Sequence, residues 1–293
     1  MSSTSYGYSV DSERRRVIGL TELAALVVLV AVVCWLVFPR DLSDSLRNAD
    51  LDAVTLSYSN AWLQAEPDDY PLRLLLARDL IELGRFEEAD QQLDYVAAHT
   101  SSVALVAQQK WLKARLPFMA LMAMEPARRD GSEVSLRARR TFADVEPGSL
   151  DDEQLRRYAE MALLLDNLDA TVQAYHLLAA RRPPASQWYR QAGDALLAQG
   201  RYDRAADEYL LAMQAQETAE GRRRDFLKAL ATLQGGGLMD RALNVAAARQ
   251  AVFVNDSEVL YRLMNLARAA GDGDRAQYYA VLLLRLREEG WVP

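Results

Sequence analysis

Apolar positions recur at steps of three and four through most of this chain, broken at short intervals by glycine or by Asp-Asn. The pattern is clearest over 185–220. One apolar run passes through Tyr189, Ala192, Gly193, Leu196 and Leu197, and a second through Tyr202, Ala205, Ala206, Tyr209, Leu210 and Met213. Such steps set each run on one face of an α-helix. Gly200 stands between the runs and supplies the left-handed residue that ends one helix and turns the chain into the next. Gly193 and Ala205 are small where large core residues would ordinarily stand. The two helices are therefore expected to approach closely, with Tyr202 and Tyr209 filling the space beside them.

The hairpin repeats. The stretch 152–185 carries Ala159 and Ala162, then Asp166-Asn167 in place of the glycine turn, then Thr171, Tyr175 and Pro183. After a slip of three residues, 223–256 carries Gly235-Gly236-Gly237, Met239, Ala242 and Ala246. Leu263, Ala267, Gly271, Ala276 and Ala280 mark 257–290. Earlier, 70–103 carries Leu76, Ala77, Leu80, Gly84, Phe86, Ala89 and Leu93. Together with 186–219, these units resemble the tetratricopeptide repeat (TPR), a helical hairpin of about 34 residues. The resemblance implies an all-α fold, a TPR-type solenoid over 51–293, in which each hairpin buries surface against its neighbours alone. A single helix is expected over 51–66, ending at Pro67. The stretch 104–147 reads as an irregular repeat. A helix over 104–116 is interrupted by Pro117, an apolar continuation carries Met119, Met122 and Met124, a turn covers 126–131, and a helix follows over 133–145.

The N-terminal part differs. Residues 1–16 are polar and read as a disordered tail that ends in Arg14-Arg15-Arg16. Residues 17–38 are almost wholly apolar, and at 1.5 Å per residue they would span about 33 Å, enough for the hydrocarbon core of a bilayer. No small-x-small cleavage site closes the run, so it is expected to be an uncleaved transmembrane signal anchor. The arginines before it place the N-terminus in the cytoplasm and everything after Pro39 outside, which in a bacterium is the periplasm. Residues 39–50 are a linker. Glu22 lies near the cytoplasmic end, within reach of the headgroups.

Composition narrows the function. The net charge of −7 argues against a nucleic-acid partner. Cys34 is the sole cysteine, so no intrachain disulfide forms. His99 and His176 have no partner at ligand spacing, so no metal or other cofactor is expected. No nucleophile elbow, Walker loop, zinc-protease motif or dinucleotide fingerprint is present, and no enzymatic activity is expected. The triplet 235–237 sits in an inter-helix turn, with no strand before it and no Gly-Lys-Ser/Thr after it to make a phosphate cradle. Arg222-Arg223-Arg224 and Arg137-Ala138-Arg139-Arg140 read as solvated helix faces.

In TPR proteins the ligand groove is lined by the first helix of each hairpin. The resemblance thus implies a binding face of Glu153, Arg156 and Glu160, then Gln187, Arg190 and Asp194, then Glu258, Tyr261, Asn265 and Arg268. Its mixed polarity suits a peptide, a protein surface or a sugar polymer. The anchor, the junction Phe38-Pro39-Arg40 and the run Leu74-Leu75-Leu76-Ala77-Arg78 resemble the TPR proteins of Pel-type exopolysaccharide export. That resemblance implies an inner-membrane-anchored periplasmic scaffold that recruits envelope proteins for polymer export or modification. The alternative is an inner-membrane assembly factor or chaperone of the cytochrome c maturation or secretion type. The last helix is apolar beyond one stripe, through Tyr278, Tyr279, Val281, Leu282, Leu283, Leu284 and Leu286. It is expected to leave a surface for another protein, a second copy or further repeats.

Overall fold

The computed structural model describes residues 53–288, with residues 24, 27–29 and 32 also helical. Apart from those few positions, the tail at 1–16, the anchor at 17–38 and the linker at 39–50 lie outside the described residues. Among the described residues no helix is long and apolar enough to cross a membrane. They are all-α, with no strand among them.

Two compact units divide the chain, one ending at Leu76 and the other beginning at Ala77. The first holds α1 (Ala53–Ala65) and the opening turns of α2 (Tyr70–Glu82). Leu56, Leu63, Leu72, Leu74 and Leu76 are among its buried side chains. Pro67 ends the run between the helices. The Pro67 carbonyl accepts from Arg73 Nε at 2.8 Å, and Asp69 Oδ1 accepts the Leu72 N–H at 3.1 Å.

The second unit continues through α3 (Phe86–His99), α4 (Val103–Ala123), α5 (Glu133–Ala143), α6 (Asp152–Leu164), α7 (Leu168–Arg181), α8 (Ala185–Ala198), α9 (Tyr202–Gln214), α10 (Ala219–Gly235), α11 (Met239–Arg249), α12 (Ser257–Ala269) and α13 (Gly273–Glu288). One turn motif joins the two helices of a hairpin five times. A left-handed residue occurs at Gly84, Asp166, Gly200, Gly237 and Gly271. The residue after it donates its N–H to the carbonyl five positions back: Arg85 to Leu80, Asn167 to Ala162, Arg201 to Leu196, Leu238 to Leu233 and Asp272 to Ala267, all at 2.8–2.9 Å. This is the Schellman closure, which satisfies carbonyls that the helix end would otherwise leave open. The left-handed residues fall 34 apart from Asp166 to Gly200 and from Gly237 to Gly271, and 37 apart from Gly200 to Gly237. The slip of three residues read from the sequence is therefore real. It coincides with the length of α10, 17 residues against 14 in α8.

Packing follows the chain. Within this unit α8 packs against α7 and α9, α9 against α10, α12 against α13, and α10 also touches α12. Small residues make the crossings. Ala89, Thr171, Ala205 and Ala242 each stand five residues after the left-handed turn in four second helices and are fully buried. Thr171 hides its hydroxyl by donating to the Asn167 carbonyl at 3.1 Å, which is how a polar residue is tolerated there. Tyr209 is fully buried, as expected, whereas Tyr202 is about one-third exposed. Tyr202 instead covers the next hairpin's turn, where a Cβ on Gly236 would come within 2.5 Å of its own Cβ.

A charge ladder runs across the second helices. Arg204 donates to Asp169 at 2.6 Å, and Arg241 donates to Asp207 at 2.7 Å and also to Asp203. Its arginines stand in a recurring Asp-Arg-Ala, at 203–205 and 240–242; in the third copy, 274–276, Arg275 turns instead to Asp272 at 3.3 Å. Each exposed pair contributes about 0.2–1 kcal/mol. The two basic clusters are built into such contacts. Arg137 reaches Asp90 at 2.6 Å, Arg139 lies 3.5 Å from Asp166, and Arg223 lies 3.4 Å from Glu258.

The irregular repeat departs from expectation at one point. Pro117 does not interrupt its helix: α4 runs 21 residues through it. A proline inside a helix costs about 3 kcal/mol through a lost hydrogen bond and a ring clash. Burial of Trp111, Leu112, Leu116, Phe118 and Leu121 around it offsets that cost. Arg129 closes the far end of α4, donating from Nη2 to the Met122 carbonyl at 2.8 Å and from Nε to the Met124 carbonyl at 3.1 Å. At the other end of the unit, α13 buries Tyr279 and Leu286 and leaves Tyr278, Val281 and Leu284 exposed along one stripe.

Candidate binding face on the first helices

The first helices α6, α8 and α12 carry the residues expected to line a groove, and α10 is the first helix between α8 and α12. Their spacing relative to the left-handed turn fixes equivalence. Glu160, Asp194, Ala231 and Asn265 each lie six residues before that turn, and Arg157, Gln191, Lys228 and Arg262 nine residues before it.

On α6, Arg156 pairs with Glu153, and Arg157 approaches the same carboxylate at 3.3 Å. Glu160 is exposed one turn on. It shares with Arg157 and Arg115 a cleft of about 440 Å³ floored by Phe118, Met119 and Met161. Met119, from the methionine-rich segment of α4, thus lies on this face. Arg115 is nine-tenths buried, and its guanidinium lies 3.6 Å from Glu82. Burial and then the neighbouring Arg157 push its pKa below the ordinary arginine value.

On α8, Gln187 is exposed, while Arg190 and Asp194 are engaged by the next first helix. Arg190 lies 3.6 Å from Asp225, a fully buried carboxylate that also accepts from Gln216 Nε2 at 2.7 Å. Asp194 Oδ1 accepts from Lys228 Nζ at 2.6 Å and from the Tyr209 hydroxyl at 2.6 Å. Lys228 Nζ also sits 4.5 Å from the centre of the Tyr209 ring. Burial, then the hydrogen bond to Asp194, raises the Tyr209 pKa far above the ordinary phenol range. The equivalent Tyr175 is raised by burial and by Glu160 and Asp194, so its hydroxyl lies in the field of both acids.

On α12, Glu258 takes Arg223 from α10, while Tyr261 and Arg268 are exposed. Asn265 lines a second cleft, about 560 Å³, between α10 and α12, together with Lys228, Gln234 and Arg262. The face therefore consists of two clefts separated by a polar junction at Arg190, Asp194, Lys228 and Asp225. Lys228 and Arg262 were not among the expected groove residues. Their signal was available in the sequence, since they stand 34 residues apart and Arg262 lies one turn before the expected Asn265.

Chemically this face offers guanidinium, ammonium, carboxylate and amide groups above leucine, methionine and tyrosine. It can recognise charged and amide-bearing surfaces. Among the described residues no group of three or more His, Cys, Asp or Glu side chains is placed to hold a metal ion. His176 instead pairs with the buried Glu208 at 2.7 Å. Comparison with protein-family models yields no match, and neither does comparison with curated proteins.

Proposed function

We propose that this chain is a TPR-type scaffold, held in a bacterial inner membrane by residues 17–38, whose periplasmic array of hairpins recruits envelope proteins through its first-helix face. The observation that carries the reading is the recurrence of one hairpin closure at Gly84, Asp166, Gly200, Gly237 and Gly271, with a mixed-charge face on the helices that precede the last four turns. A repeated hairpin scaffold that presents such a face is suited to work by binding. Exopolysaccharide export or modification is the process that the Phe38-Pro39-Arg40 junction favours.

Two measurements test this. A phosphatase reporter fused after Pro293 is expected to be active, and activity confined to a cytoplasmic reporter would overturn the topology. Affinity purification from solubilised membranes is expected to recover polysaccharide-modifying or export proteins. Recovery of cytochrome-maturation or secretion machinery instead would move the chain to the assembly-factor class.

A further inference from the structure

The junction between α8 and α10 and the junction between α10 and α12 are built alike except at one position. In the first, Lys228 reaches back to Asp194 at 2.6 Å. In the second, the cation is kept as Arg262, but Ala231 stands where Asp194 stands one hairpin earlier. Arg262 is exposed, and among the described residues no carboxylate lies within ion-pair distance of it. Ala231 and Arg262 both line the cleft of about 560 Å³. The cleft thus lies where an internal carboxylate is missing from an otherwise repeated contact.

We propose that this cleft binds an acidic side chain of a partner polypeptide. The ligand carboxylate occupies the place that Asp194 fills at the preceding junction. A guanidinium suits this role because its planar fork takes both oxygens of a carboxylate. The remaining walls argue for a polypeptide over a free anion. Asn265 and Gln234 line the cleft with amides that both donate and accept, as a peptide main chain requires. Leu227, Leu230 and Leu266 give an apolar wall for a flanking side chain, which an inorganic anion would leave in water. The proposal rests on the reading of the first-helix face as a partner site and names the chemistry recognised at one end of it.

The test uses the purified full-length chain and a panel of fluorescent blocked peptides, each with one Glu between apolar residues, against the same peptides with Gln. The Glu peptides are expected to bind at least tenfold more tightly, a difference of about 1.4 kcal/mol. Arg262→Gln is expected to remove that preference. Ala231→Asp is expected to remove it too, by restoring the internal pair, with no fall in melting temperature. Equal binding of Glu and Gln peptides, no binding of either, or a preference that survives Ala231→Asp would overturn the proposal. Capture of envelope proteins unchanged by Ala231→Asp, with the peptide preference absent, overturns the cleft and leaves the scaffold reading in place. Failure of the unmodified chain to capture any envelope protein overturns that reading instead.

Discussion

The ring of Tyr209 occupies the space that a side chain on Gly193 would need. A Cβ at Gly193 would lie 2.7 Å from Cε1 and 2.9 Å from Cδ1 of that ring. The ring is fully buried, and its hydroxyl is held by Asp194 at 2.6 Å, so it has no free direction in which to retreat. Helix propensity alone would favour alanine over glycine at this position by about 0.5–1 kcal/mol. Overpacking opposes it by about 1–3 kcal/mol. Gly193→Ala is expected to lower stability by about 1 kcal/mol net, and Gly193→Ala combined with Tyr209→Leu to regain part of the loss. Chemical denaturation of the four combinations measures the coupling. A stabilising Gly193→Ala on its own would mean the helices do not meet as closely as described.

The alanines of the second helices differ in how tightly they are held. Ala205 is fully buried between α8 and α9, whereas Ala276 in α13 is half-buried. Ala205→Leu is expected to cost about 1–3 kcal/mol by overpacking. The same change at Ala276 should cost less, because one side of the residue can yield towards solvent. Thermal melts of the two variants check the order, and equal losses would contradict this difference in packing.

Asp90 ties three helices together. It accepts from Lys113 of α4 and Arg137 of α5, each at 2.6 Å. Burial alone would raise its pKa, but the two cations outweigh burial and hold it below the ordinary carboxylate value. A depressed folded pKa means that the stabilisation is complete above the unfolded value, about 3.9, and is lost as pH falls through the folded one. Asp90→Asn is therefore expected to lower stability near neutral pH by about 1 kcal/mol, after discounting for the partial exposure of the cluster. The difference should close on acidification. Asp79 behaves oppositely: burial raises its pKa despite Arg78, so it disfavours the fold when ionised and is relieved when protonated. Melting curves of the parent and the Asp90→Asn variant across the acidic range distinguish the two. A gap that stays constant with pH would remove Asp90 as the titrating group.

Much of this architecture is written in the chain, and the reasons are local. Gly200, Gly237 and Gly271 mark left-handed turns because few other residues adopt that conformation cheaply. The alanines at 89, 205 and 242 mark crossings because little else fits. Asp166 was readable as a substitute because the Asp-Asn pair falls one period before Gly200. Pro117 misled because its penalty is local while the burial that offsets it comes from elsewhere in the fold. Arg190 and Asp194 were expected as groove residues, but their engagement was not legible. Their partners, Asp225 and Lys228, lie on the next first helix, and no periodicity states that a buried acid awaits there. Arg262 was missed for a related reason. Its meaning lies in a residue that is absent, the acid replaced by Ala231, and only the register of two consecutive junctions reveals it.

The engagement of Arg190 changes how the proposed binding face is to be probed. Reversing its charge would set a second acid beside the fully buried Asp225, whose remaining cation, Arg224 at 3.4 Å, is largely exposed, and would cost about 3 kcal/mol. Loss of partner capture in such a variant would report unfolding as readily as binding. Arg156 and Arg268 are the cleaner positions, both exposed and neither paired to a buried group. Arg156→Glu with Arg268→Glu is expected to weaken recovery of membrane partners severalfold at an unchanged melting temperature. Undiminished recovery would place the partner on the opposite face of the hairpins or on the methionine-rich segment of α4.

Asp166 is the one non-glycine residue among the five left-handed closures, with φ +58°. An L-residue in that region costs about 1–2 kcal/mol, least for Asp and Asn, whose short side chains bond locally. Glycine avoids that strain but gives up about 0.5–1 kcal/mol in the entropy of the unfolded chain. The side chain of Asp166 has little else to lose, since its contact with Arg139 is 3.5 Å long and both groups are largely exposed. Asp166→Gly is therefore expected to be neutral or to gain up to about 1 kcal/mol. Gly200→Ala, which forces a Cβ into the same conformation at φ +69°, is expected to lose about 1 kcal/mol. A loss at 200 with no loss at 166 is what a left-handed closure shared by adjacent hairpins requires. Denaturant titration of both variants reads them directly, and a stabilising Gly200→Ala would show that the turn at 200 does not hold the left-handed residue on which the register rests.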